Sequence, residues 1–273
     1  MPPSSSKFID SSFLKSKGYT FGTKITRKNV SKVKFGENIL ACKFLKKKKT
    51  VDIDLETLKT ITHPNIILLH SIVRNGDHTF LFTQWADGGD LFSFIKNFGQ
   101  IKETKANLWF YQIVCAVKHL HAINLVHGRL TCKNLLICRQ NLKVSGLTHL
   151  TKCAEGETLM KHNKLIPKYY LPPEVNFGTP ANAKMRDVFA LGTILFMMVY
   201  AKIPFLTVCP FKLVEDQIRR RYTVYSSNAI SLSVNCQMML HVLFEPNQKI
   251  RFTIDKIYSM KWLQKYVDSH GDS

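Results

Sequence analysis

A change of periodicity about a third of the way along the chain constrains its fold more than any other feature. From Gly18 to about Val73 the apolar residues come in short runs, such as Val33-Lys34-Phe35 and Ile39-Leu40-Ala41-Cys42-Lys43-Phe44, which read as strands. Asp54 to Thr60 is the one stretch of helical spacing among them, and Thr79-Phe80-Leu81-Phe82-Thr83 is a further strand. After Trp85, Ala86-Asp87-Gly88-Gly89 supplies a turn or hinge, and Leu91, Phe92, Phe94 and Ile95 open a helical pattern. Thr104 to His121 places Leu108, Tyr111, Ile113, Val114, Val117 and Leu120 on or near one helix face. Asp187 to Tyr200 is an apolar helix suited to burial, and the final third is helical with short loops. The expected fold is therefore α+β and bilobal. A small β-rich lobe spans 16–84 and a larger helical lobe spans 85–265, flanked by a flexible Ser/Lys-rich segment at 1–15 and a tail at 266–273.

Composition narrows the class. With 45% hydrophobic residues among 273, the chain buries a substantial core and is not disordered. The longest apolar stretch, Val188 to Ala201, is too short for the roughly 20 residues that cross a bilayer, and Met1 to Lys7 has no apolar signal segment. Seven scattered cysteines with no C-x-x-C pair fit a reduced, intracellular and cytoplasmic chain better than a disulfide or zinc framework. The net charge of +20, with dense runs at Lys46–Lys49 and Arg219–Arg221, raises the prospect of binding acidic polymers or membrane surfaces.

The stretch His127-Gly128-Arg129-Leu130-Thr131-Cys132-Lys133-Asn134 resembles the catalytic loop of eukaryotic protein kinases, H-R-D-L-x-x-x-N. Lys17-Gly18-Tyr19-Thr20, Gly89-Asp90-Leu91, Ala116-Val117-Lys118-His119 and Asp187-Val188-Phe189-Ala190-Leu191-Gly192 extend the resemblance. It runs from about Gly18 to Leu263 and is closest to the testis-specific serine kinases of the calcium/calmodulin-kinase group. It implies a Glu174–Arg251 pair in the helical lobe and an Asp187 that braces the catalytic loop. It also implies an apolar column of Leu58, Leu69, Leu147 and His127, and a nucleotide pocket of Val33, Ala41, Lys43, Asp54, Thr83, Ala86, Asn134 and Leu136. Val33, Ala41 and Leu136 would sandwich adenine, Thr83 would gate the back of the pocket, Gln84-Trp85-Ala86 would form the hinge, and Lys43 would pair with Asp54, with Glu56 nearby.

Against this pattern the chemistry-bearing positions are altered. The glycine loop is Thr26-Arg27-Lys28-Asn29-Val30-Ser31, the D-F-G triplet is Gly146-Leu147-Thr148, and the base aspartate is Arg129. A guanidinium stays protonated and cannot take a proton from a substrate hydroxyl. The lysine that follows is Thr131, the phosphate-docking arginine is Gly128, and the activation-loop positions are Asn163 and Pro167. These losses imply no catalytic residue and no metal site, with Asn134 left as a lone amide ligand. On this reading the chain is not an enzyme but a pseudokinase, a scaffold or allosteric partner of other proteins, such as an active kinase or its client. No cofactor is expected, although ATP is admitted without strong metal dependence. The alternatives are a weak or atypical ATP-dependent serine/threonine kinase, motivated by Lys43 and Asn134, and a basic module for acidic surfaces, motivated by Lys46–Lys49.

Overall fold

The computed structural model describes residues 11–25, 30–46, 55–154, 157–159, 166–223 and 231–267. The chain divides into two compact units, the first running essentially to Ala86 and the second from Asp87 onward with residues 63–66. This is the β-rich and helical division expected from the periodicity.

The first unit opens with a short helix, α1 (Ser11–Ser16). Strands β1 (Tyr19–Ile25), β2 (Val30–Phe35) and β3 (Asn38–Lys46) follow, then α2 (Leu55–Thr60), β4 (Leu69–Asn75) and β5 (His78–Gln84). The five strands form one antiparallel sheet in the order β1-β2-β3-β5-β4. Phe35 pairs with Asn38 across a two-residue turn in which Gly36 takes φ 55°, a conformation cheap only for glycine. That turn fixes the register of the hairpin, setting Val33 opposite Leu40 and Lys32 opposite Ala41. One sheet face buries Val33, Leu40, Cys42, Phe80 and Phe82 with Tyr19 and Leu14. Tyr19 stacks on Phe82 at 3.9 Å between centroids and on Phe35 at 4.7 Å, while its hydroxyl shares a hydrogen bond with Ser71 Oγ at 2.8 Å. Leu14 is completely buried, which corrects the expectation of a flexible segment through residue 15: α1 covers the sheet's apolar face.

The second unit contains α3 (Leu91–Phe98), α4 (Glu103–Ala122), β6 (Leu125–Val126), β7 (Leu135–Cys138), β8 (Asn141–Val144), β9 (Thr151–Lys152), β10 (Thr158–Leu159), α5 (Pro173–Phe177), β11 (Ala181–Asn182) and α6 (Ala183–Tyr200). Helices α7 (Pro210–Ile218), α8 (Val234–Leu243), α9 (Ile254–Tyr258) and α10 (Lys261–Val267) complete it. The last carries helix beyond the expected boundary at 265. Local chemistry sets the helix starts. Asp90 accepts from Ser93 N at 2.9 Å, Asn182 from Met185 N at 3.1 Å and Ser233 from Cys236 N at 3.2 Å, each satisfying an otherwise orphan N–H. Helix α6 is buried on nearly all sides, as its composition requires. Gly192 in its middle lets α8 approach: a Cβ there would lie 2.9 Å from the Phe244 ring and 3.1 Å from Leu243 Cβ.

All seven cysteines are free thiols, and among the described residues no helix is long and apolar enough to cross a membrane.

Candidate active site

The loop Val126–Asn134 is held from below by Asp187, which is 2% exposed on α6. Its Oδ2 accepts from His127 N at 2.7 Å and from His121 Nε2 at 3.1 Å, and its Oδ1 accepts from Gly128 N at 3.0 Å. Burial works against this carboxylate's charge, but the His121 hydrogen bond, the neighbouring histidines and the His127 N–H outweigh it and hold its pKa below the ordinary value. Gly128 takes φ 65°, the kink that aims two successive N–H groups at one carboxylate.

His127 completes the frame. Its Nδ1 accepts from Arg129 N at 3.2 Å, so the proton sits on Nε2, which donates to Ser145 O at 2.8 Å. Complete burial lowers its pKa. Asn134 spans the loop: its Nδ2 donates to Arg129 O at 2.8 Å, while its own carbonyl accepts from Ser145 N at 2.8 Å and Ser145 Oγ at 2.9 Å. The loop is thus fixed by hydrogen bonds at residues 127, 128, 129 and 134.

Arg129, at the base position, is half-buried and directs Nη1 to His149 Nε2 at 3.1 Å. Gly146, at the metal-aspartate position, takes φ 85°, and a Cβ there would meet the Asn134 side chain at 3.1 to 3.3 Å. Magnesium takes oxygen ligands, usually including a carboxylate. Here Gly146 offers no side chain, Asn134 offers only its amide Oδ1 (its Nδ2 donates to Arg129 O), and among the described residues no cluster of three His, Cys, Asp or Glu could hold a metal. The residues present do not fit that ion.

The other expected positions fall as follows. Glu174 and Arg251 form a bidentate pair, Nη1 to Oε1 at 2.8 Å and Nη2 to Oε2 at 3.1 Å. Arg251 also donates to the carbonyls of Glu245, Met185 and Pro246. Leu58 and Leu69 are buried in the first unit, and Leu147 and His127 in the second. Ala41, Lys43 and Thr83 share one sheet face, since Ala41 pairs with Thr83 and Lys43 lies two residues further along β3. Ala86 is half-buried at the end of the first unit. Leu136 is the half-exposed member of an otherwise buried β7.

The structure departs from the sequence expectation at several positions. Val33 lies on the opposite face from Ala41 and Lys43, completely buried in the apolar cluster. The two-residue turn sets that register, and Val30 and Lys32 occupy the Ala41 face instead. Lys32 there sits 5.2 Å from the ring centroid of Trp85, a cation–π contact that sequence spacing does not reveal. Glu56 is engaged with Lys59 at 2.8 Å. Asp54, Asn163, Thr26–Asn29 and Lys47–Lys49 lie outside the described residues. In the run Arg219–Arg221, the exposed Arg219 and Arg221 share Glu215 at 3.3 and 3.5 Å, and Arg220 pairs with Glu245 and His241.

The family model for the protein kinase domain matches residues 25–263. The chain is 29% identical to testis-specific serine/threonine-protein kinase 2 of Mus musculus, over 93% of this chain and 76% of that protein. It is 28% identical to testis-specific serine/threonine-protein kinase 3 of Homo sapiens, over 92% of this chain and 98% of that one. It is also 26% identical to CBL-interacting serine/threonine-protein kinase 3 of Arabidopsis thaliana, over 90% of this chain and 58% of that protein. These relatives are named as serine/threonine kinases, and this finding overturns the expectation that the chain is not an enzyme. That expectation treated each lost side chain as a lost function, whereas the structure keeps the loop they stood on. With a catalytic loop braced by Asp187 and a helical unit closed by Glu174–Arg251, this chain belongs to the protein kinase domain family.

Proposed function

We propose that this chain is an atypical ATP-dependent serine/threonine protein kinase that transfers slowly and depends little on a divalent metal. The observation that carries the reading is the fixed geometry of the catalytic loop: Asp187 clamps two successive N–H groups at 2.7 and 3.0 Å, and the side chains of His127 and Asn134 hold the N–H and the carbonyl of Arg129. Phosphoryl transfer passes through a loose transition state, so positioning and charge stabilisation supply most of the catalysis. A fixed arginine at residue 129 suits the second task, stabilising charge on the transferred group rather than accepting a proton. The first unit offers Lys32 and Lys43 on the face shared by Ala41 and Thr83, cations suited to nucleotide phosphates. The loss of the proton from the incoming hydroxyl is then left to solvent or to the phosphate itself, which is why turnover is slow.

The same rigid frame suits a role beside turnover, as an allosteric partner of another kinase or of a client protein within phosphorylation signalling in a reducing cell interior. The test is phosphate incorporation from labelled ATP into a degenerate Ser/Thr peptide library by the purified chain, with magnesium, with manganese and with chelator. Slow incorporation in all three is expected, and Lys43→Ala should reduce it by about a hundredfold, to background. Incorporation no greater than that of heat-unfolded protein would refute the reading.

A further inference from the structure

Arg129 differs from four other arginines of the second unit. Arg219, Arg220, Arg221 and Arg251 each meet a carboxylate. Arg129 is half-buried, yet among the described residues no carboxylate lies within ion-pair reach of it, and its one side-chain partner is His149 Nε2 at 3.1 Å. For Nε2 to accept, the imidazole is neutral, so it brings no counter-charge. Burial lowers the guanidinium's pKa with no neighbouring anion acting against it. A guanidinium carries five N–H donors in a fork that matches two oxygens of a phosphate, and one of them is used here. The backbone beneath it does not give: the Arg129 N–H is bound to His127 Nδ1 and its carbonyl to Asn134 Nδ2. A partly desolvated cation on a fixed loop, short of a counter-ion, is a preorganised oxyanion site.

We propose that Arg129, positioned by His149, binds the phosphate of a phosphorylated serine or threonine side chain, making the catalytic loop a phosphopeptide-binding site. The identity of the carrier rests on the kinase reading, which sets the peptide hydroxyl against residue 129; the phosphorylated side chain is that hydroxyl after transfer. The adjoining segment favours a peptide carrier. Tyr170 OH accepts from Cys132 N at 3.2 Å, tying the loop to a turn that exposes Pro167 and Lys168, a surface along which a chain can lie. His149 acts as a positioning residue, holding the guanidinium until the anion takes over its N–H.

The test is fluorescence polarisation of the whole chain with labelled degenerate peptides centred on phosphoserine, serine or aspartate, without nucleotide or metal. The phosphoserine set should bind at least about tenfold more tightly than the serine set, as expected for a charge-assisted bidentate contact. Arg129→Gln should erase that preference, Arg129→Lys should restore part of it, and Arg221→Gln should leave it intact. If Arg129→Gln fails to fold, displacement of the peptide from the unaltered chain by free phosphoserine gives the same reading. Equal binding of the phosphoserine and serine sets overturns the proposal, as does a preference that survives Arg129→Gln. A stronger preference for aspartate assigns the site to carboxylates, and displacement by ATP better than by phosphoserine assigns it to nucleotide; either result also overturns it. Phosphate incorporation is scored separately, so failed binding with intact transfer refutes this site alone, and intact binding without transfer refutes the kinase reading alone.

Discussion

Replacing Gly146 should show why a carboxylate cannot simply be returned to this loop. Gly146 sits at φ 85°, where an L side chain costs about 1 to 2 kcal/mol. An added Cβ would stand 3.1 Å from Asn134 Cγ, 3.2 Å from Oδ1 and 3.3 Å from Nδ2, so the amide must retreat by a few tenths of an ångström. Retreat loosens the 2.8 Å hydrogen bond from Asn134 Nδ2 to Arg129 O, worth about 1 kcal/mol. Gly146→Ala should therefore lose about 2 to 3 kcal/mol in urea unfolding, lowering the thermal midpoint by about 4 to 12 °C. Gly146→Asp should fall at the mild end of that range, because aspartate tolerates the left-handed region better than alanine. It should also bring little magnesium dependence to phosphate incorporation, since the amide that would share the ion is the group it displaces. Denaturation curves for Gly146→Ala within about 0.5 kcal/mol of the unaltered chain would show that the loop relaxes freely, and the argument for its rigidity would fall.

The buried charges govern two further outcomes. Arg251→Leu should cost about 3 to 5 kcal/mol by stranding Glu174, and the double change Arg251→Met with Glu174→Leu should recover most of it; a single variant as stable as the parent in urea would contradict the pairing. Acidification should destabilise the fold from about pH 6.5 downward. His63 accepts from Asn65 N at 3.0 Å, and burial, His119 and Lys143 lower its pKa from 6.5 to about 4. Below 6.5 the unfolded chain therefore takes up the proton first, and stability falls as pH drops toward 4. Asp187, with its depressed pKa, acts in the same direction at still lower pH. The thermal midpoint followed from about pH 7.5 to about pH 4.5 should show this decline, and His63→Asn should flatten it; an unchanged slope would acquit His63.

The parts of this molecule legible in the sequence are those written as local pattern. The apolar helix ending at Tyr200, the helix around Thr104–His121 and the change of character near Ala86 all follow from spacing, because helix and strand periods are properties of neighbouring residues. The Glu174–Arg251 pair and the Asp187 brace are legible only through resemblance, since their partners stand 77 and 60 positions apart in the chain. The side on which Val33 falls is set by a single turn. The resemblance puts Val33 beside Ala41. The Gly36-Glu37 turn between Phe35 and Asn38 instead pairs Lys34 with Ile39 and Val33 with Leu40, and parity sends Val33 to the other face. The pairing of Arg129 with His149 escapes sequence reasoning for a similar cause: the two meet through the fold of the loop, and no spacing rule links a catalytic-loop residue to one 20 positions later.

The distribution of the thiols has a practical consequence for spectroscopy. Burial pushes Cys42, Cys132 and Cys236 up to about 12 and Cys138 up to about 11, and it raises Cys115 and Cys153 as well. Thiolate is the species that alkylating reagents attack, so these six are poor targets at neutral pH. Cys209, at the start of α7, is the exposed one. A maleimide dye or spin label added to the natural chain should therefore settle at a single place, giving a reporter of the helical unit without any engineered cysteine.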